Sequence, residues 1–107
     1  MDKLLNFLGL CRRAGKLTTG NDAVVETVVK GESKLVIVAD DVSPNTEKKL
    51  LKICDTNKVK LIKIKRSKDE LSLAIGRFAA VASVTDSGFA QNVEKLTQQE
   101  VTVYDKI

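Results

Sequence analysis

One continuous aliphatic run constrains the fold of this chain more than any other stretch. It reads Lys34-Leu35-Val36-Ile37-Val38-Ala39-Asp40, with five apolar residues between two charged ones. A strand without polar alternation has no solvent-facing side, so both faces of its sheet must be covered. The sequence therefore predicts a central strand inside a layered α/β fold.

Helix and strand patterns alternate along the rest of the chain. Apolar residues at three- and four-residue spacing predict helices, and short aliphatic runs predict strands. The predicted helices are 3–13, 20–30, 44–54, 68–75 and 87–96, and the predicted strands are 16–19, 34–40, 59–64 and 81–85. This order indicates a three-layer α-β-α sandwich. The tail Val101-Thr102-Val103-Tyr104 alternates in polarity, which favours an added strand.

Composition excludes several classes of site. The chain has no histidine, and Cys11 and Cys54 form no C-x-x-C pattern. Without histidine there is no Ser-His-Asp triad, no imidazole base and no histidine-bound zinc. Neither a P-loop nor G-x-G-x-x-G is present, which gives no support for nucleotide binding. We therefore expect no catalysis, no cofactor and no metal, with both thiols reduced and buried.

Length and hydropathy indicate a single cytoplasmic domain. The chain has 107 residues, with no linker or repeat, and we assign all of 1–107 to one domain. Its first residues lack a secretion signal, and no apolar run approaches the length that crosses a membrane. We expect no membrane partner.

Positive charge is concentrated in one segment, although the net charge is only +4. Residues 58–68 contain six cations: Lys58, Lys60, Lys63, Lys65, Arg66 and Lys68. An uneven basic field suits an anionic polymer such as RNA. The alternative is a lysine-rich strand edge that discourages aggregation between sheets.

The helix predicted at 20–30 begins with a turn that can hold an anion. Thr19 is placed to cap it, with Asp22 three positions later as a weaker relative of the capping-box acid. The first N–H groups of a helix and its dipole attract phosphate. Arg13 and Lys16 lie just upstream and would add positive charge. The alternative is an ordinary helix start that binds nothing.

Two loops carry further candidates. Asp40 and Asp41 follow the central strand, where a pair of carboxylates can bind Mg²⁺ in a small enzyme. A turn and a helix cap are the alternative, which we favour because the sequence shows no second acid pair.

In the segment 76–80, Arg77 can meet phosphate and an exposed Phe78 can stack on a base. An inward Phe78, packed in the core, is the alternative.

These pieces together resemble a known family. The segments that carry the resemblance are Gly20–Ala23, Lys30-Gly31, Lys34–Val42, Ser67–Leu71, Ile75-Gly76 and Ala82–Val84. They resemble the kink-turn-binding ribosomal proteins of the archaeal L-seven-Ae and eukaryotic L-thirty-e type, over roughly residues 4–97. Residues 8–10, 43–49 and 84–90 resemble the short bacterial branch of this family called YlxQ. The resemblance implies an α-β-α sandwich with a four-stranded mixed sheet.

The resemblance also implies a partner and a site. The partner is RNA, either ribosomal or otherwise structured, and the protein is tied to the ribosome or to translation without being an enzyme. RNA would contact the start of the second helix, the loop after the long strand and the loop before the last strand. With the upstream cations, the candidate residues are Arg13, Lys16, Thr19, Gly20, Asn21, Asp22, Ala23, Glu26, Asp41, Gly76, Arg77, Phe78 and Ala79.

Three positions depart from the family's RNA-reading signature. Asp22 stands where the family has asparagine, Ala23 where it has glutamate, and Glu26 where it has lysine. Ionised aspartate accepts hydrogen bonds but cannot donate them, and Glu26 repels phosphate. RNA binding and kink-turn selectivity are therefore separate hypotheses. The alternative is a protein-interaction module that keeps the fold and has lost the RNA.

Overall fold

The four strands form one sheet whose spatial order differs from their order in the chain. The computed structural model describes the backbone of residues 2–105 and the side chains of residues 2–99. Its strands are β1 (Leu17–Thr19), β2 (Leu35–Val38), β3 (Leu61–Lys63) and β4 (Val81–Val84). They lie in the order β1-β4-β2-β3. Because β2 is parallel to β3 and antiparallel to β4, the predicted four-stranded mixed sheet is confirmed.

Five helices cover the two faces of this sheet. They are α1 (Lys3–Arg13), α2 (Asn21–Val29), α3 (Pro44–Thr56), α4 (Lys68–Ile75) and α5 (Ser87–Asp105). Helices α2 and α3 pack on one face, and α1, α4 and α5 pack on the other. The predicted three-layer α-β-α sandwich is therefore confirmed. None of the helices within residues 2–105 combines the length and the hydropathy that a membrane crossing requires.

Strand β2 joins the two layers. Leu35 and Ile37 belong to the core beneath α1, α4 and α5, whereas Val36 and Val38 belong to the core beneath α2 and α3. Successive side chains of a strand point to opposite faces, so a strand buried on both sides must be apolar at every position. The aliphatic run predicted this arrangement.

The last helix is longer than the sequence patterns suggested. Helix α5 continues to Asp105, so the prediction of an added strand at 101–104 is wrong. No glycine or proline follows Phe89 to end the helix, and Gln98 and Gln99 are good helix formers. An alternation of four residues is too short to outweigh a helical pattern already under way.

Helices α1 and α4 approach each other closely at Gly9. A Cβ atom at Gly9 would lie 2.8 Å from the carbonyl oxygen of Ala74, which is closer than real Cβ contacts allow. The absent side chain therefore permits the two backbones to pack against each other.

The two helices are also tied together where they begin. Asp2 Oδ1 accepts a hydrogen bond from the Leu5 N–H at 2.9 Å, which caps α1, and Oδ2 accepts one from Arg66 Nε at 2.7 Å. Burial of the Asp2 carboxyl raises its pKa, but the bonds from Arg66 and Leu5 lower it, and the net pKa is below its ordinary value.

We predict that Asp2→Ala lowers the free energy of unfolding by about 1–2 kcal/mol, because it removes a helix cap and a partly exposed ion pair. Asp2→Asn should cost less, since an amide can still cap the helix. The pKa of Asp2 is lower in the folded state, so its stabilisation is present above the unfolded pKa and lost as the pH falls through the folded one.

Urea unfolding of wild type and Asp2→Asn at about pH 6 and about pH 2.5 measures this effect. The difference in the free energy of unfolding between wild type and Asp2→Asn should be smaller at the lower pH. A difference that is the same at both values would contradict the ion-pair contribution.

Candidate nucleic-acid interface

The register of the sheet brings several predicted segments to one edge. Thr19, at the end of β1, pairs with Ala82 near the start of β4. Val38, at the end of β2, pairs with Val81 on one side and with Lys63 at the end of β3 on the other. Three strands therefore end, and β4 begins, at the same edge, which we call the site edge. With strands about 4.8 Å apart, it spans roughly 15 Å.

The site edge carries four chain segments. They are the start of α2 at 20–23, the loop after β2 at 39–43, the loop after β3 at 64–67, and the end of the loop before β4 at 78–80. Backbone bonds join neighbouring segments: the Ala39 N–H donates to the Ala80 carbonyl at 2.8 Å, and the Asp40 N–H donates to the Arg66 carbonyl at 2.8 Å. The relative positions of these loops are therefore fixed by the sheet.

Asp41 has a structural role at this edge. Its Oδ1 accepts a hydrogen bond from the Lys68 N–H at 2.8 Å, which holds the loop after β2 against the start of α4. Among the side chains of residues 2–99, no group of three or more Asp, Glu, Cys or His gathers as metal ligands do. The pair Asp40–Asp41 thus has no third ligand there, and the turn-and-cap interpretation describes its contacts.

Helix α2 begins without a side-chain cap. Its N-cap residue is Gly20, with φ 95° and ψ 144°, and no side chain within residues 2–99 accepts from the first turn. The prediction that Thr19 caps the helix is wrong, because Thr19 is the last residue of β1 and is held in the ladder opposite Ala82. The N–H groups of residues 21–23 remain available to a ligand from outside the described chain.

The other four described helices begin differently. Asp2 caps α1, Ser43 caps α3, and Asp86 accepts from the Phe89 N–H at 2.9 Å at the start of α5. Ser67 and Glu70 form the predicted capping box of α4. Open N–H groups at a helix start attract phosphate. Within the described part of the chain, α2 is the helix whose start has such open groups, and it is therefore the candidate for binding phosphate.

The charge of Glu26 is offset locally. Its Oε1 accepts a hydrogen bond from Lys30 Nζ at 2.7 Å, one helical turn later. This hydrogen bond and the charge of the ammonium hold the pKa of Glu26 below its ordinary value. The expected repulsion of phosphate by Glu26 is therefore weaker than the sequence suggests. Asp22 has no ion pair among the described residues.

The loop before β4 exposes its aromatic residue. Phe78 is 75% exposed, so the core-packed alternative is wrong. Ala79 is buried in its place, and its N–H donates to Ser72 Oγ at 2.9 Å. Gly76 ends α4 with φ 72° and turns the chain back along the helix, with Arg77 exposed beside it.

Arg77 does not lie at the site edge itself. Helix α4 has 8 residues and starts at the site edge, so its end lies about 12 Å away. The Arg77 N–H bonds the Ser72 carbonyl at 3.1 Å, near that end. Arg12 donates to the neighbouring Ile75 carbonyl at 3.0 Å, which joins this turn to α1. The loop from Arg77 to Ala80 thus runs back from the end of α4 to the site edge.

Arg13 and Lys16 are not close to the start of α2. Lys16 precedes β1, and its carbonyl accepts from the Thr85 N–H at 3.0 Å beyond the end of β4. These residues lie at the opposite edge of the sheet, and the extended strand places residue 16 about 13 Å from residue 20. The predicted cluster of both cations with the α2 start is therefore wrong.

The basic run 58–68 is divided between the two edges. Its first lysines precede β3 at the opposite edge, where Lys60 pairs with Glu94. At the site edge, Lys63 pairs with Glu47 at 3.2 Å and Arg66 pairs with Asp2 at 2.7 Å. The site edge carries acids as well, so it is a surface of mixed charge rather than a uniformly cationic cradle. The exposed charges at or beside it include Lys65, Lys68, Asp22, Asp40 and Asp69.

A pocket of about 160 Å³ opens beside the site edge, between α2 and α3. Asn21 is among the site residues predicted from the sequence, but Asn45 and Lys49 are not, because only the packing of α3 beside α2 brings them together. The polar residues in the first turns of α3 are the sequence feature that could have indicated these two lining residues. The lining residues are Asn21, Val25, Asn45, Thr46, Lys49 and Leu50.

The cysteines offer no nucleophile. Both are free and buried, as predicted. Burial raises the pKa of the Cys11 thiol to about 11 and also raises the pKa of Cys54. At neutral pH both remain protonated thiols, and the thiolate is the reactive form.

The chain is similar in sequence to ribosomal and RNA-binding proteins. The profile of the ribosomal protein L7Ae/L30e/S12e/Gadd45 family matches residues 2–94. The RNA-binding protein YlxQ of Bacillus subtilis is 39% identical over 91 residues, covering 84% of this chain and 90% of that protein. The large ribosomal subunit protein eL8 of Thermoplasma volcanium is 33% identical over 93 residues, covering 86% and 75%. A solved structure from Bacillus halodurans, of unknown function, has a TM-score of 0.87 at 34% identity, covering 92% and 99%.

We predict that Gly20→Ala lowers the free energy of unfolding by about 1–3 kcal/mol, because residues with a side chain rarely adopt the Gly20 backbone conformation. A Cβ atom there would meet no atom of the described residues within 4 Å, so the cost is backbone strain rather than a clash. Urea unfolding measures the change. Asn21→Ala, at the next position, is the control and should stay within about 0.5 kcal/mol. Equal stability of wild type and Gly20→Ala would contradict the strained turn.

Proposed function

The chain belongs to the ribosomal protein L7Ae/L30e/S12e/Gadd45 family, and from this premise we propose that it is a non-catalytic RNA-binding protein of the cytoplasm, associated with the ribosome or with translation. Two relatives support the proposal: one is named an RNA-binding protein and the other a ribosomal protein. The observation that carries it is the site edge, where the uncapped start of α2 meets the loops after β2 and before β4.

The site edge favours a polymer over a small ligand. Helix α2 lies on one face of the sheet and α4 on the other, so a ligand that contacts both must cross the sheet edge. Phosphates would accept from the open N–H groups of α2 and meet Lys68 and Arg77, while Phe78 would stack on an unpaired base. The residues that we propose for RNA contact are Thr19, Gly20, Asn21, Asp22, Ala23, Glu26, Asp41, Gly76, Arg77, Phe78 and Ala79.

We propose that the RNA is a folded one, a kink-turn or a related structure. Phosphate contacts position a protein on its RNA, whereas contacts to base edges select the sequence. Asp22 cannot donate to a base, and Glu26 is already paired with Lys30. Kink-turn selectivity should therefore be weaker than the full family signature would give.

A protein-interaction module is the second candidate. The observation that favours it is the exposure of two large apolar side chains on α4 and its following loop, Leu73 at 77% and Phe78 at 75%. Exposed apolar surface of this kind marks contacts with proteins when it is contiguous. On this hypothesis the material that co-purifies with the chain is protein and not nucleic acid.

Gel-shift titrations with three RNAs test the proposal: a kink-turn, the same duplex without the kink, and an unrelated stem-loop. We expect binding to RNA and a modest preference for the kink-turn. Equal affinity for all three would remove the selectivity, and absence of binding to all three would overturn RNA binding in favour of the second candidate.

We predict that Arg77→Ala weakens RNA binding and reduces the slope of log K against log salt by about one, as for one lost phosphate contact. Lys16→Ala is the matched control, because it removes the same charge from beyond the end of β4, whereas Arg77 begins the loop that returns to the site edge. The slope of Lys16→Ala should equal that of wild type. If Lys16→Ala changes the slope and Arg77→Ala does not, RNA binds the other edge.

A further inference from the structure

We propose that the pocket between α2 and α3 receives the base of one unpaired nucleotide, with Asn21 and Asn45 recognising the edge of the base and Lys49 its phosphate. This assignment rests on the proposed RNA binding and adds to it a place where RNA sequence is recognised. Four of its lining residues, Asn45, Thr46, Lys49 and Leu50, belong to α3, and the candidate residues named from the sequence include none from that helix.

The pocket is part of the rigid packing between the two helices. Val24 and Val28 of α2 are buried in the same core as Leu50 and Cys54 of α3. Both helices begin at the site edge and lie on the same face of the sheet, so their first turns stand side by side. The spacing between these turns is fixed by the core, and the pocket is present without a ligand to form it.

The polar groups of the pocket are available for binding. Asn21 and Asn45 are exposed, and neither side-chain amide has a hydrogen-bond partner among the described residues. An amide both donates and accepts, which matches the mixed edges of nucleobases. The Thr46 hydroxyl, in contrast, already bonds Ser43 Oγ at 2.9 Å. Lys49 is exposed and has no ion pair within residues 2–99.

The size and the lining of the pocket fit a base. At about 160 Å³ it is smaller than the sites of roughly 300–1,000 Å³ that bind drug-sized ligands. Val25 and Leu50 supply apolar wall, against which a flat ring can lie. Sequence-specific recognition of RNA commonly uses unpaired bases that are turned out of the stack. A pocket beside the open α2 start is placed to accept one.

The test uses the tightest-binding of the three RNAs, with each unpaired nucleotide replaced in turn by an abasic one. Asn45→Ala should weaken binding of the intact RNA about tenfold, as for the loss of a good contact to one base. For one abasic position, Asn45→Ala and wild type should bind equally, because the base that Asn45 contacts is already missing.

Lys52→Ala is the matched control for Lys49→Ala. Both lysines are exposed on α3, and Lys52 does not line the pocket. Lys49→Ala should weaken binding several-fold more than Lys52→Ala, with thermal unfolding confirming that both variants fold. A tenfold loss from Asn45→Ala that persists at every abasic position, or equal losses from the two lysine variants, would overturn the pocket assignment while RNA binding stands. A wild-type protein that binds none of the three RNAs would overturn both proposals.

Discussion

The burial of β2 on both faces determines where every other element lies. Its four side chains alternate between two cores, and full burial of each aliphatic side chain contributes about 1.5–3 kcal/mol. An exchange of this strand with the edge strand β3 would expose part of that surface. With β2 held in the sheet, its pairing with β3 on one side and β4 on the other fixes which loops share an edge. The site edge is thus a consequence of the core.

A second constraint orients α2 on the sheet. The hydroxyls of Thr27, Ser83 and Ser33 form a buried chain with distances of 2.9 and 2.7 Å, and the Thr27 hydroxyl donates to the Val24 carbonyl at 2.7 Å. This chain of hydroxyls joins the last turn of α2 to β4 and to the turn before β2. A buried hydroxyl without a partner costs about 1–3 kcal/mol, so these groups favour one position of the helix. The open first turn of α2 is presented from that position.

Sequence patterns predicted the elements well and their neighbours poorly. The uninterrupted apolar run identified β2, and the spacing of Ser67 and Glu70 identified the start of α4, because both signals are local. Arg13 and Lys16 seemed close to Gly20 since they are close in the chain, but an extended strand separates them. Asn45 and Lys49 were missed for the opposite reason: they are distant from Asn21 in the chain and adjacent to it in the fold. Phe78 shows a third limit, because its exposure depends on Ala79 filling the core in its place.

The central claim is that RNA binds the edge at which β1, β2 and β3 end, and amide chemical-shift mapping by NMR tests it most directly. Titration of labelled protein with a kink-turn RNA should move the amide signals of residues 21–23, 41 and 78–80 most. Signals from the opposite edge, at residues 15–16 and 85–87, should move little. The largest shifts at that opposite edge, or shifts spread evenly over both, would contradict the account.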